Sequence, residues 1–175
     1  MNPGGPAAIE HYKQYLASLE ELKHPRLLEE LSQDEADDYD AIFLPGGHGP
    51  MRDLVCSVTL GEIVQRMKAR DKLIVAVCHG PAGLLPAVEP DGTWAFKGYR
   101  LTAFTNEEEA AVGLADKMPF LLENRLRELS ADFRAGKPWE SHVVTDRNLI
   151  TGQNPASSAG VADEALARLK SPVAP

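Results

Sequence analysis

The stretch Leu73–Leu85, LIVAVCHGPAGLL, sets the terms on which the rest of the chain can fold. Leu73 to Val77 is an unbroken apolar run, which reads as a short strand buried on both faces, as inside a parallel sheet. Cys78 ends that run. Gly80 and Pro81 break the strand pattern, and Ala82, Leu84 and Leu85 predict a helix that begins at once, with Pro81 in its first turn. A thiol is thus set between a strand end and a helix start. Free backbone N–H groups and the positive end of a helix dipole favour a thiolate there, so the reading predicts a nucleophile activated without a neighbouring base. The alternative is a small, inert, buried cysteine. The strand-to-helix setting, which follows the logic of a hydrolase nucleophile elbow, favours the reactive thiol.

Asp40–Met51, DAIFLPGGHGPM, is the second informative stretch. Ala41 to Leu44 is predicted as a short buried strand, and Pro45, Gly46, Gly47 and Gly49 force a tight loop at its carboxyl end. Sites of open parallel sheets lie outside the carboxyl ends of the strands. Gly46 and Gly47 are therefore placed to offer backbone N–H groups to an oxyanion beside Cys78, with Gly80 in the same pocket; taken alone, Gly-Gly is only a turn. His48 either lines that pocket or is an exposed loop histidine. Ser57 reads as the N-cap of a helix over Val58–Ala69 with Leu60, Ile63, Val64 and Met67 on its buried stripe. Strand, helix and strand within about forty residues make a βαβ unit, with parallel neighbouring strands and a right-handed crossover.

Outside this unit the patterns are plainer. Met1–Pro6 is a Pro/Gly-rich loop, and Ile9, Tyr12, Leu16, Leu19 and Leu22 recur at helical spacing. A shorter helix is predicted over Pro25–Leu31, and Asp34, Glu35, Asp37 and Asp38 read as a solvated loop. Thr93–Phe96 and Tyr99–Phe104 are predicted strands. In Thr105–Gly113 an N-cap at Thr105 or Asn106 precedes three glutamates, which complement a helix dipole; one of them is available to orient a histidine. A helix over Met118–Leu129, strands at His142–Thr145 and Leu149–Thr151, and a last helix over Ala156–Leu169 complete the pattern. Residues 1–175 are read as one domain, with a helical lead-in (1–39), a core (40–170) and a tail (171–175).

The net charge of −8, from 18 basic and 26 acidic residues, argues against nucleic acid or an anionic membrane as partner. Cys56 and Cys78 lack C-x-x-C spacing, and neither a membrane span nor a signal-peptide pattern is evident, so a reducing, cytoplasmic location is expected. His11, His24, His48, His79 and His142 show no paired ligand spacing, so neither a metal nor a cofactor is expected.

Taken in order, AIFLPGGHGPM, AVCHGPA, LTAFTNEEE and ITGQNPASS resemble the ThiJ/PfpI family, and within it the chaperone and glutathione-independent glyoxalase III branch of the class I glutamine amidotransferase-like fold. The resemblance spans Pro3 to Lys170. It implies an α/β three-layer sandwich with a mostly parallel, flavodoxin-like sheet flanked by helices. It also implies Cys78 as nucleophile with His79 beside it, Glu109 as the acidic partner of that histidine, and Gly46 and Gly47 as the oxyanion pocket. Family members begin with a strand, a helix and a second strand that bring a glutamate to the thiol. This chain resembles them from the end of that second strand onward, so an N-terminally truncated sheet and lowered activity are expected. The implied activity is conversion of methylglyoxal or glyoxal to lactate or glycolate, a lyase reaction on a small aldehyde, in a homodimer. A stress chaperone or redox sensor built on an oxidisable Cys78, and a cysteine hydrolase or amidase, are the alternatives.

Overall fold

The computed structural model describes residues 5–170. The predicted tail from Ser171 and the first four residues of the predicted lead-in loop lie outside them. Gly5 and Pro6, expected in that loop, already belong to a helix, α1 (Gly5–Ser18). A second short helix, α2 (Glu20–Lys23), follows a break at Leu19, which takes an extended conformation. The helix predicted through Leu22 is thus interrupted. Ser18 Oγ, which donates to the Tyr15 carbonyl at 2.7 Å, competes with the helical ladder at that point. No α1 residue is buried, and Tyr12, Tyr15 and Leu16 are exposed.

The helix expected from Pro25 is only a single 3-10 turn, Leu28–Glu30. The acidic loop is instead a helix, α3 (Gln33–Asp37), started by a reciprocal Ser32–Glu35 capping box. Asp37 then pairs with Arg66 of the helix over Val58–Ala69 and with Arg70, which caps its end, so the acidic cluster has partners on the body of the protein.

The core is the βαβ unit: β1 (Ala41–Leu44), α4 (Val58–Ala69) and β2 (Leu73–Val77), with Ser57 Oγ capping Leu60 N–H at 3.2 Å. β1 and β2 are parallel, with Ala41 opposite Leu73 and Leu44 opposite Ala76. After β2 come β3 (Arg100–Leu101), α5 (Asn106–Ala111), α6 (Leu122–Glu128), β4 (Asp132–Phe133), β5 (Val143–Asp146), β6 (Leu149–Gly152) and α7 (Ser158–Lys170). The main sheet runs β1-β2-β6-β5, with β6 parallel to β2 and β5 antiparallel to β6. β3 and β4 form a small separate sheet.

Every residue of β2 is buried because both of its faces are covered. Ile74 and Ala76 pack with Leu60, Ile63, Val64 and Met67 of α4, while Leu73 and Val75 pack with Ile150 and Val161 on the α7 side. Each fully buried aliphatic side chain of this kind contributes about 2 kcal/mol. This is the predicted sandwich of helices on a mostly parallel sheet. β1, predicted as buried, is the edge strand, and Phe43 is 55% exposed. Of the two strands expected at 93–104, the second is shortened to β3, Arg100–Leu101, and the first is not formed. Trp94 makes one bridge to Val88, its indole N–H donates to the Leu84 carbonyl, and Phe96 packs edge-on against Tyr99. These residues are buried by aromatic packing around tight turns, which alternation alone cannot tell from a ladder.

Candidate active site

The thiol sits where β1, β2 and β6 end together. Cys78 has φ +62°, in the left-handed region, a conformation that costs a non-glycine residue about 1 kcal/mol or more. It is held there from both sides: its N–H donates to Gly152 O at 2.8 Å and its carbonyl accepts from Phe104 N–H at 2.9 Å. A sharp turn of this kind lifts the side chain out of the sheet, as the elbow reading requires. Gly80 permits the turn, because a Cβ there would lie 2.1 Å from Leu44 O. Gly46 permits the approach of the first loop, because its Cβ would lie 2.7 Å from Cys78 Cβ. Gly47, at φ +92°, turns its N–H toward the thiol, as does the backbone N–H of His79.

One expectation fails here. The segment after Cys78 is a five-residue 3-10 helix, Gly80–Leu84, and not an α-helix, so it brings little dipole to the sulfur. Burial is the dominant influence and pushes the Cys78 thiol up; the Gly47 and His79 N–H groups oppose it, and Glu108 and Glu109 add to it. Burial thus favours the neutral thiol over the thiolate.

A histidine lies beside the thiol. Cys78 Sγ lies 3.3 Å from His79 Nδ1, and His79 Nε2 lies 2.6 Å from Glu109 Oε2. With an ionised Glu109, His79 carries its hydrogen on Nε2 and turns the Nδ1 lone pair to the thiol. The imidazole is fully buried, packed against the rings of His48 at 4.2 Å and Phe104 at 4.7 Å. Burial lowers its basicity, partly offset by the hydrogen bond it donates to Glu109. His48 also reaches the carboxylate, with Nε2 at 2.9 Å from Glu109 Oε1. All the residues singled out in the sequence, Cys78, His79, Glu109, Gly46, Gly47, His48 and Gly80, therefore converge on one point. His48, His79 and Glu109 are also the one group among the described residues whose three ligand-type atoms lie within 4.8 Å of one another. His48 Nε2, His79 Nε2 and both Glu109 oxygens are engaged in the two short hydrogen bonds just given.

Glu108 was not anticipated. Fully buried on the first turn of α5, it accepts from Thr105 N–H and Oγ, from Trp139 N–H at 2.9 Å and from Asn154 Nδ2 at 2.8 Å. Burial opposes its charge, but these donors hold its carboxyl below the usual range. It fixes the Trp139 loop, at φ +63°, so that Trp139 packs edge-on against Phe104. The Thr105-x-x-Glu108 capping box was the available sequence signal.

Comparison with known proteins places these features in context. The model of the DJ-1/PfpI family matches residues 18–168. The human glutamine amidotransferase-like class 1 domain-containing protein 1 is 38% identical over 121 residues, 69% of this chain and 54% of its own. The protein/nucleic acid deglycase HchA of Pseudomonas aeruginosa (strain UCBPP-PA14) is 34% identical over 168 residues, 89% of this chain and 56% of its own. The crystal structure of glyoxalase III from Candida albicans superposes with a TM-score of 0.81 at 26% identity, covering 90% of this chain and 68% of that one. The chain thus spans about half the length of the curated relatives it matches.

Proposed function

This chain belongs to the DJ-1/PfpI family, and on that footing we propose that it converts small α-oxoaldehydes such as methylglyoxal and glyoxal to lactate and glycolate, without glutathione, through a covalent bond to Cys78. Relatives named as a deglycase and a glyoxalase III support aldehyde chemistry of this class. The single observation that carries the reading is the unbroken chain from Cys78 Sγ through His79 to Glu109.

His79 Nδ1 takes the thiol proton as sulfur adds to the aldehyde carbon, giving a hemithioacetal. The Gly47 N–H stands where the oxyanion forms. His79, with its charge balanced by Glu109, then moves a proton from the aldehyde carbon to the neighbouring carbonyl carbon by way of an enediol. The product is a 2-hydroxyacyl thioester, and water cleaves it to the 2-hydroxy acid and the free thiol.

The test is methylglyoxal consumption and lactate formation without glutathione. The chain is expected to form lactate and Cys78→Ser to lose that activity. Lactate formation by Cys78→Ser at the rate of the unaltered chain would refute the covalent route.

A further inference from the structure

The fold brings together two histidines that show no paired spacing in the sequence and sets one carboxylate across them. Glu109 Oε2 lies 2.6 Å from His79 Nε2, Glu109 Oε1 lies 2.9 Å from His48 Nε2, and the ligand atoms of the three residues fall within 4.8 Å of one another. Two imidazoles and one carboxylate are a donor set for zinc and its first-row neighbours, whereas Mg2+ and Ca2+ take oxygen ligands. Two imidazole nitrogens on one tetrahedral zinc ion lie about 3.4 Å apart, so closure from the 4.8 Å limit takes about 1.4 Å at most. His48 can supply that movement. A Cβ added at either of its neighbours, Gly47 and Gly49, would meet nothing within 4 Å, and 33% of the His48 side chain is exposed, while His79 and Glu109 are buried. An ion therefore enters from the His48 side. The outer contact is also present: a ligating histidine gives its second ring nitrogen to an acceptor, and His79 Nδ1 lies 3.3 Å from Cys78 Sγ.

We propose that His48, His79 and Glu109 form an inhibitory site for a first-row divalent cation such as zinc. With Glu109 ionised, and so only an acceptor, both Nε2 atoms carry hydrogen in the resting protein. When the ion binds, each Nε2 gives that hydrogen to water and each Nδ1 takes one from water. Both rings stay neutral, no net proton is released, and each ring offers its Nε2 lone pair to the ion. Glu109 keeps its charge and bonds the ion directly. His79 then carries its hydrogen on Nδ1, facing Cys78 Sγ, and can no longer take the thiol proton. Cys78 is not a ligand, because its sulfur meets the opposite nitrogen of the His79 ring from the one that faces Glu109. The effect on turnover rests on the aldehyde reading; the binding does not.

The experiment titrates Zn2+ into the unaltered chain, His48→Gln and Cys78→Ser by calorimetry, with Co2+ in parallel as a coloured probe. The cobalt spectrum is expected to show an ion held by nitrogen and oxygen, without a sulfur-to-cobalt charge-transfer band. Gln offers no imidazole lone pair, so His48→Gln is expected to weaken Zn2+ binding by more than about 100-fold, the most that loss of an outer contact costs. Cys78→Ser loses only such a contact and is expected to bind within about tenfold of the unaltered chain. Undiminished binding by His48→Gln overturns the proposal. Binding that disappears in Cys78→Ser also overturns it, since the ion would then sit on the thiol. Should His48→Gln fold poorly, NMR of the unaltered, histidine-labelled chain decides: Zn2+ is expected to shift Nε2 of both His48 and His79 and to move the His79 hydrogen to Nδ1, and shifts confined to other histidines refute the site. In turnover with methylglyoxal, lactate formation falls as Zn2+ binds, returns with EDTA and is untouched by Mg2+; activity that rises with Zn2+ overturns the inhibitory role. Failure of the metal-free chain to make lactate counts against the aldehyde reading alone, and the calorimetry still decides the site.

Discussion

Replacing Glu108 by Ala tests how the site is held rather than what it does. The carboxylate satisfies the Thr105 N–H and hydroxyl, the Trp139 N–H and the Asn154 amide, all inside the protein. Ala leaves those donors without an acceptor and removes the reciprocal cap of α5. An unsatisfied buried donor costs about 1–3 kcal/mol, and a lost cap about 1 kcal/mol. Part of this is recovered, because the Thr105 hydroxyl can rotate and Asn154 Nδ2 also donates to the Glu140 carbonyl at 2.8 Å. The net expectation is about 4 kcal/mol, in the range for breaking a buried charged network. For a domain of this size that lowers Tm by about 8–16 °C. Urea unfolding followed by far-UV circular dichroism gives the free energy. Fluorescence adds a local readout, since of the two tryptophans Trp94 is buried and Trp139 lies 39% exposed on the loop that Glu108 fixes. A loss below about 1 kcal/mol, the scale of one ordinary hydrogen bond, would refute the claim that Glu108 ties α5, the Trp139 loop and the Asn154 turn together.

Three more outcomes follow from the same contacts. Gly80→Ala drives a Cβ to 2.1 Å from the Leu44 carbonyl oxygen, a backbone atom, so it destabilises by more than the about 1–3 kcal/mol of ordinary overpacking; equilibrium unfolding measures it, and a neutral effect contradicts the close approach of β1 and β2 ends. Glu109→Gln keeps an acceptor for His79 Nε2–H but removes the negative charge that balances a protonated His79, and lowers kcat by about 100- to 10,000-fold, while circular dichroism keeps the unaltered spectrum. The pH profile of Cys78 alkylation has two rises. His79 must be neutral to accept the thiol proton, and its basicity is depressed, so the first rise is centred below the ordinary 6.5. The thiol is pushed up, so direct ionisation adds a second rise above the ordinary 9.0. A single rise near neutral pH, as for a thiolate–imidazolium pair, contradicts this order.

The elements that sequence reading placed to the residue, β1, α4 and β2, are those whose signals are local. An apolar run, an N-cap serine and a stripe at helical spacing need no knowledge of the rest of the chain. Where it failed, the deciding partner was elsewhere or of another kind. Phe96 and Tyr99 are buried because they pack edge-on against each other, and the acidic run at α3 is ordered by its own cap and by Arg66 and Arg70. Glu109 came to the site by resemblance, but its second partner did not: His48 lies 61 positions away in the chain, and no spacing rule links them. The sequence signal at Cys78 is incomplete for a physical reason. A strand-to-helix junction predicts a low thiol pKa only if the helix is long enough to have a dipole, and five residues of 3-10 helix are not.

The most direct test of the account is the state of Cys78 during turnover. The chain mixed with methylglyoxal, quenched in acid and digested is expected to yield a Cys78 peptide carrying a lactoyl group that hydroxylamine removes, as a thioester requires. Lactate production with the Cys78 peptide unmodified throughout, and undiminished in Cys78→Ser, would contradict it.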